Sequence, residues 1–245
     1  MKTSKILILL AVVSISISSC DPKVFEAIMN GEVPVSKTPL SNEEVIKGLK
    51  EALSVGSQSA VGKTGKANGF LNDPLIRIPF PEEAKKVKDA AISVGLKNDV
   101  EKFEATLNKA AEQASAEAYQ VFVQAVTGMT IQDGFNILKG DSVAATNFLK
   151  QKTTQELTNK FRPIVQKAVD NTQLTSYWTP LVNAYNLSNI FSGGNDVNPD
   201  LTGYVTTKAL EGLFFYVAME EQKIRKDPAA RVTAILQRVF GYYGG

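Results

Sequence analysis

The sequence predicts an all-α fold: one compact multi-helix domain over residues 41–241, built around a central apolar helix at about 201–225, with no substantial sheet. Three observations predict it. Helix start and stop signals recur along the chain. One stretch, Leu201–Met219, carries large apolar groups around most of its circumference. Period-two alternation is almost absent.

Ser41-Asn42-Glu43-Glu44 reads as a capping box, in which Ser41 and Glu44 satisfy each other's backbone amides. Val45, Leu49, Ala52 and Leu53 then follow at helical spacing. Pro81 suits a first helical position and Gly95 a stop, for a helix over Glu82–Val94. Asn98 or Asp99 is the expected cap of the next helix, whose stripe runs Val100, Phe103, Leu107, Ala110, Ala111 and Ala114. Thr130-Ile131-Gln132-Asp133 opens a short helix that Gly140 closes, and Asp141 or Ser142 caps another. Thr153-Thr154-Gln155-Glu156 reads as a second capping box. Pro163 is expected to kink or break the helix beyond that box, because it removes an amide donor. Leu210, Leu213, Phe214, Phe215, Tyr216, Val217 and Met219 mark the central helix as buried, until Glu220-Glu221-Gln222-Lys223 turns it to the surface. Asp227-Pro228 is a cap and first-turn proline for a final helix to about Phe240, leaving a short tail at 242–245. Only Leu75-Ile76-Arg77-Ile78-Pro79 alternates, and Pro74, Pro79 and Pro81 bracket it, so it reads as an ordered extended loop.

The first 19 residues read as an export signal. Lys2 and Lys5 precede an apolar run from Ile6 to Val13, too short for a span of roughly 20 residues. Ile17-Ser18-Ser19-Cys20 resembles a bacterial lipobox, in which the cysteine is acylated and becomes the first residue. Several acyl chains hold a protein to a membrane where one chain binds only marginally. Residues 20–40 contain Pro22, Pro34 and Pro39 among small and polar residues, and read as a tether that buries too little to order itself. Asp21 is a single acid rather than an acidic run, which points the domain toward the periplasm, under the outer membrane.

Lys and Arg total 27 and Asp and Glu 25; without Lys2 and Lys5 the exported chain carries 25 of each. That balance excludes the electrostatic footprint of a general nucleic-acid binder. The chain has no histidine and one cysteine. This excludes Ser-His-Asp and Cys-His catalysis, histidine metal sites and an internal disulfide. Gly56–Thr64, G-S-Q-S-A-V-G-K-T, falls short of a phosphate loop: five residues separate the glycines instead of four, and it follows a helix instead of a strand. It reads as a flexible Gly/Ser-rich helix end. Asn195-Asp196-Val197-Asn198 lacks the calcium-loop pattern. No cofactor or metal site is expected.

Arginine is scarce, five against 22 lysines. Its planar fork suits bidentate pairing, so Arg77 in the proline-rich loop and Arg225 and Arg231 around Asp227-Pro228 are candidates for a binding or structural charge cluster. Glu221 lies four residues before Arg225 and can pair with it on one helix face, whereas Glu220 points about 100° away. Such a pair is ordinarily a surface feature. Tyr177, Leu181 and Tyr185 share a helical face beside Trp178 and read as core with polar handles.

Several segments together resemble one bacterial family, domain of unknown function 4197. They are Gly69-Phe70-Leu71-Asn72-Asp73 with Ile76-Arg77-Ile78-Pro79; Met129 to Asp133 with Ile137-Leu138-Lys139-Gly140; Ala144-Ala145-Thr146; and Tyr177-Trp178. The clearest run is Asp200-Leu201 through Tyr204 to Phe214, continuing into Glu220-Glu221, Ile224-Arg225, Asp227-Pro228, Arg231 and Val239-Phe240-Gly241. The chain departs from the usual family residues at Asp133-Gly134 and Ala234. The resemblance implies an exported protein of Gram-negative bacteria, often a lipoprotein, and carries over no activity.

Three functions stay open at this point. The first is an envelope lipoprotein, anchored through Cys20, whose helical body binds a protein partner without catalysing a reaction. The second is a carrier holding a lipid or other apolar ligand between helices. The third is an enzyme using carboxylate, lysine or tyrosine chemistry, for which a cleft joining Arg77, Glu221 and Arg225 would be the sign.

Overall fold

Most helices begin where a side chain can satisfy their first free amides, and the central one is buried because it is apolar on most sides. A computed structural model describes residues 39–93, 95–171, 178, 182–183, 186–187, 198 and 200–243. Cys20, the leader, the tether up to residue 38, Tyr177, Leu181, Tyr185 and the run 195–197 lie outside the described residues. The fold is all-α, with no strand among the described residues. The helices are α1 (Asn42–Thr64), α2 (Lys85–Ser93), α3 (Lys97–Ala116), α4 (Ala118–Thr127), α5 (Ile131–Lys139), α6 (Ala144–Asp170), α7 (Leu201–Lys226) and α8 (Ala234–Tyr243). Short 3₁₀ turns at Glu82–Ala84 and Pro228–Ala230 precede α2 and α8.

The central helix is α7, which packs against α6, α1 and α3. Asp200 caps it, accepting from the Gly203 amide at 2.8 Å. Burial works against the Asp200 carboxylate, but that amide and Arg162 together hold its pKa below the usual range. Val205, Ala209, Leu213 and Val217 are buried along its inner face. Gly212 is where the 70–80 loop crosses α7: a Cβ there would lie 2.6 Å from a Phe70 ring carbon. Gly48 does the same for α8 on α1, where an added Cβ would lie 2.5 Å from Val239. Trp178 is buried, its ring centroid 5.4 Å from that of Phe80 and 6.2 Å from that of Phe103.

The capping boxes at Ser41–Glu44 and Thr130–Asp133 both form. The hydroxyl and amide of Thr130 hold the Asp133 carboxyl below its ordinary pKa. Gly95 stops α2 at φ +89°, a conformation that favours glycine. Residues 70–80 form an ordered non-regular segment.

Several expectations need correction. Gly56–Thr64 is no flexible end; it is the second half of α1, with Gly56, Ser57, Ala60 and Thr64 buried. This half of α1 packs against α7: a Cβ on Gly56 would lie in ordinary van der Waals contact with Glu220 Cβ, at 3.6 Å. α3 starts at Lys97 with no side-chain cap, ahead of Asn98 and Asp99. Thr153 and Thr154 cap nothing: they lie inside α6, where their hydroxyls bond back to the Leu149 and Lys150 carbonyls. Pro163 does not end α6 either. The lost amide bond is local, while burial of Leu157, Phe161, Val165 and Val169 continues across it. Asp227-Pro228 opens only the 3₁₀ turn, and α8 begins later and extends through Tyr243, into the expected tail. The end of α7 does emerge, with Lys223 and Lys226 exposed, but the turn before it departs from expectation. Glu220 and Glu221 are buried, and Phe215 and Met219 are exposed.

Candidate functional site

Three polar assemblies surround the central helix. The first is centred on Glu221, which is 9% exposed. Its carboxylate accepts five hydrogen bonds: from the Ala145 and Thr146 amides at 3.0 and 2.7 Å, the Thr146 hydroxyl at 2.8 Å, and Arg225 Nε and Nη2 at 3.0 and 2.8 Å. Ala145 and Thr146 lie in the first turn of α6, which has no cap of its own because Asp141 turns to the Val143 amide. A carboxylate from another helix therefore satisfies free amides at the positive end of the α6 dipole. Arg225 also donates to the Ile137 carbonyl, in the last turn of α5, at 3.0 Å. Arg231, 7% exposed, donates to the Ile224 and Arg225 carbonyls at 3.2 and 2.9 Å. Those carbonyls are in the last turn of α7, where a cation is favoured.

Glu221, Arg225 and Arg231 thus form one junction that holds α5, α6, α7 and the turn into α8. The Glu221–Arg225 pair is a buried joint rather than the surface pair its spacing suggests. Beside it lies a cavity of about 30 Å³, bordered by Ser57, Ile137, Thr146, Val217, Glu221 and Arg225. Ser57 Oγ is buried there with no hydrogen-bond partner among the described residues. Removing an unpaired buried hydroxyl restores no lost bond and removes a desolvation cost. Ser57→Ala should therefore leave the melting temperature unchanged or raise it. A clear drop would show that the hydroxyl is engaged in solution.

Arg77 does not join this junction. It belongs to a second assembly that the sequence pattern alone does not announce. On α3, Glu104, Asn108 and Glu112 sit four residues apart and are all buried. Together they hold the 68–80 segment. Glu112 accepts from the Asn68, Phe70 and Leu71 amides at 3.1, 3.2 and 3.4 Å. Asn108 grips Ile78 at both backbone groups, each at 2.8 Å. Glu104 accepts from the Phe80 amide at 3.4 Å, Arg77 at 3.1 Å and Lys88 at 2.6 Å. Each follows directly on an apolar stripe position, Phe103, Leu107 and Ala111, but a polar row beside the stripe of an amphipathic helix ordinarily meets water, so the sequence does not mark these three as buried.

The third assembly is an open cleft of about 440 Å³ between the α1 end, the 66–74 turn and α7. Lys63, Lys66, Asn68, Asn72, Asp73 and Tyr216 line it. The Tyr216 hydroxyl donates to Asp73, whose other oxygen accepts from the Leu75 amide at 3.0 Å. The Asp73 hydrogen bond, burial and the nearby negative charge push the Tyr216 pKa up to about 12. Lys63 pairs with Glu220 at 2.7 Å and sits 5.0 Å over the Tyr216 ring. Asn68 is held at φ +58°. On α7 Phe215, next to Tyr216, and Met219 are 37% and 46% exposed, and Leu75 on the loop is 67% exposed.

Chemically, these groups position more than they activate. Glu221 spends both oxygens on structure, Asp73 spends both on Tyr216 and Leu75, and Tyr216 keeps its proton as a neutral donor. Among the described residues Arg77 pairs with Glu104, away from the cavity that Glu221 and Arg225 border. Among the described residues no three acids or cysteines gather as a metal site, and no helix is long and apolar enough to cross a membrane.

No curated protein and no solved structure matches the chain. Residues 39–241 match the family described as "Protein of unknown function (DUF4197)". That span includes α1 to α7, most of α8 and all three assemblies, so the chain belongs to this family.

Proposed function

We propose that the protein is a lipoprotein of the cell envelope, anchored to the periplasmic face of the outer membrane through Cys20, whose helical body docks a protein partner without catalysing a reaction. The observation that carries the docking reading is the exposed pair Phe215 and Met219, one turn apart on α7, with the Phe215 ring against Tyr216 of the cleft. Aromatic and methionine side chains are enriched where proteins meet, and a buried helix has no folding reason to present two of them to solvent. The carrier reading fits less well. The core cavity beside Glu221 has room for a water molecule or two, far below the roughly 300–1,000 Å³ of a ligand pocket. The enzyme reading lacks a free acid or base in either buried assembly.

Two experiments test the two halves. Cys20→Ala should abolish acyl labelling and move the protein from the membrane fraction to the soluble periplasm. A variant that stays membrane-bound overturns the anchor. A photo-crosslinker at Phe215 in living cells should trap a discrete protein adduct that a crosslinker at exposed Lys160 does not. Adducts to lipid alone, or equal adducts from both positions, overturn the docking half.

A further inference from the structure

We infer that Asn68 is a modification site: its side-chain amide is lost by ring closure onto Gly69 when the Glu112 clamp opens, and the product no longer fits the clamp. This stands apart from the protein-docking reading and does not rest on it.

The architecture imposes a reactive pair of residues here. Asn68 is the one non-glycine residue at positive φ among the described residues, and asparagine tolerates that conformation better than most side chains. Gly69 is required by packing, since an added Cβ would press into the Lys63, Thr64 and Lys66 carbonyl oxygens, the last two at 2.9 Å. The result is Asn-Gly, in which no side chain on the second residue shields its backbone nitrogen from the asparagine Cγ. Asn68 is exposed, so water reaches it. The reaction needs nothing else. The Gly69 nitrogen gives up its proton to solvent and attacks Asn68 Cγ. The bond from Cγ to the side-chain nitrogen breaks, and that nitrogen leaves as ammonia. Water then opens the cyclic imide. Cleavage at Cγ gives aspartate; cleavage at the Asn68 main-chain carbonyl carbon gives isoaspartate, with the chain routed through the side chain.

The folded chain holds this step back. Ring closure requires the peptide plane between Asn68 and Gly69 to turn, and both ends of that plane are bonded. The Gly69 amide donates to the Lys66 carbonyl at 2.9 Å, and the Asn68 carbonyl accepts from the Asn72 amide at 3.2 Å. Glu112 clamps the amides on either side, those of Asn68, Phe70 and Leu71. Reaction therefore waits on local opening of this segment. The product then opposes reclosure. Isoaspartate lengthens the main chain between Asn68 and Phe70 by one methylene, so the three amides lose their register on a single carboxylate. Aspartate sets a second carboxylate beside the one that clamps its own backbone, and like charges repel. Asn68 thus records openings of the 68–80 segment in one direction only.

The chain carries its own clock for the test, because Asn30-Gly31, in the segment read as a tether, is its other Asn-Gly pair. The full lipidated chain in detergent micelles is incubated at mildly alkaline pH and digested. Both sites are then read by mass spectrometry and by isoaspartyl methyltransferase labelling. In denaturant the two should convert alike. In the native chain Asn68 should lag Asn30 by about ten-fold or more, because opening breaks at least one buried hydrogen bond. Glu112→Ala should bring Asn68 up toward the Asn30 rate. Glu221→Ala, which costs the whole domain at least as much stability, should raise it far less; that comparison separates opening of the clamp from unfolding. In the converted protein, hydrogen exchange at Phe70 and Leu71 should be faster than before conversion. Equal native rates at Asn30 and Asn68 overturn the inference, as does equal acceleration by Glu112→Ala and Glu221→Ala. A converted protein whose Phe70 and Leu71 amides stay protected overturns the one-way release.

Discussion

Glu221→Ala should destabilise the domain by about 3–5 kcal/mol, the cost of breaking a buried ion pair by removing one partner. For a domain of this size that is a fall in melting temperature of roughly 6–20 °C. The magnitude reflects how much the carboxylate holds. Its loss leaves the Ala145 and Thr146 amides without an acceptor and Arg225 with only the Ile137 carbonyl. Glu221→Gln should recover part of the loss: the amide oxygen can still accept, but its NH₂ must face donors on one side. Arg225→Ala and Arg231→Ala should each lower the melting temperature clearly. Arg225→Ala costs less than Glu221→Ala, because Glu221 keeps its three bonds to α6. The double variant Glu221→Ala with Arg225→Ala should cost less than the sum of the singles, since they share one network. Chemical denaturation measures all of these variants. Additive losses, or a Glu221→Ala protein that melts with the wild type, would remove the junction from the account of stability.

The helices legible in sequence are those whose ends are closed locally. Ser41 with Glu44 and Thr130 with Asp133 are capped by neighbours three residues away, so spacing alone finds them. The start of α6 is legible to within a turn, since Asp141 and Ser142 mark it, but its actual cap is not: Glu221 comes from 75 residues further on. Local rules also offer Thr153-Thr154 as a second start, although those hydroxyls can equally bond back into a continuous helix. The same limit hides the α3 row. Charged residues on an amphipathic helix ordinarily face water, and only the arrival of a loop backbone turns Glu104, Asn108 and Glu112 inward. The four charges singled out in the sequence split accordingly. Glu221, Arg225 and Arg231 lie close along the chain and meet, whereas Arg77 finds Glu104, an acid with no local sign of burial. The exposed Phe215 and Met219 cannot be told from core by composition, because a mostly apolar helix gives no sign of which stripe stays uncovered.

Glu112→Ala should release the 68–80 segment. One carboxylate accepts from three backbone amides, of which that of Phe70 is buried, and an unpaired buried donor costs about 1–3 kcal/mol. A total near ~3 kcal/mol is expected, with Glu112→Gln losing about half of that because one acceptor oxygen remains. The effect should be local as well as global. Hydrogen exchange at Asn68, Phe70 and Leu71 should accelerate while the α6 interior stays protected. A second readout comes from the cleft. Asp73 is the main cause of the raised Tyr216 pKa, and it lies in the segment whose backbone Glu112 holds. In the wild type this contact adds stability fully below pH 10 and loses it as pH rises through about 12. Releasing the segment should therefore move the Tyr216 titration, isolated as a difference spectrum against Tyr216→Phe, from about 12 down toward 10. A titration that stays near 12 in a Glu112→Ala protein with fast-exchanging amides would mean that Asp73 and Tyr216 hold each other without help from α3. The cleft would then be pre-formed by its own contacts, and the row on α3 would serve stability alone.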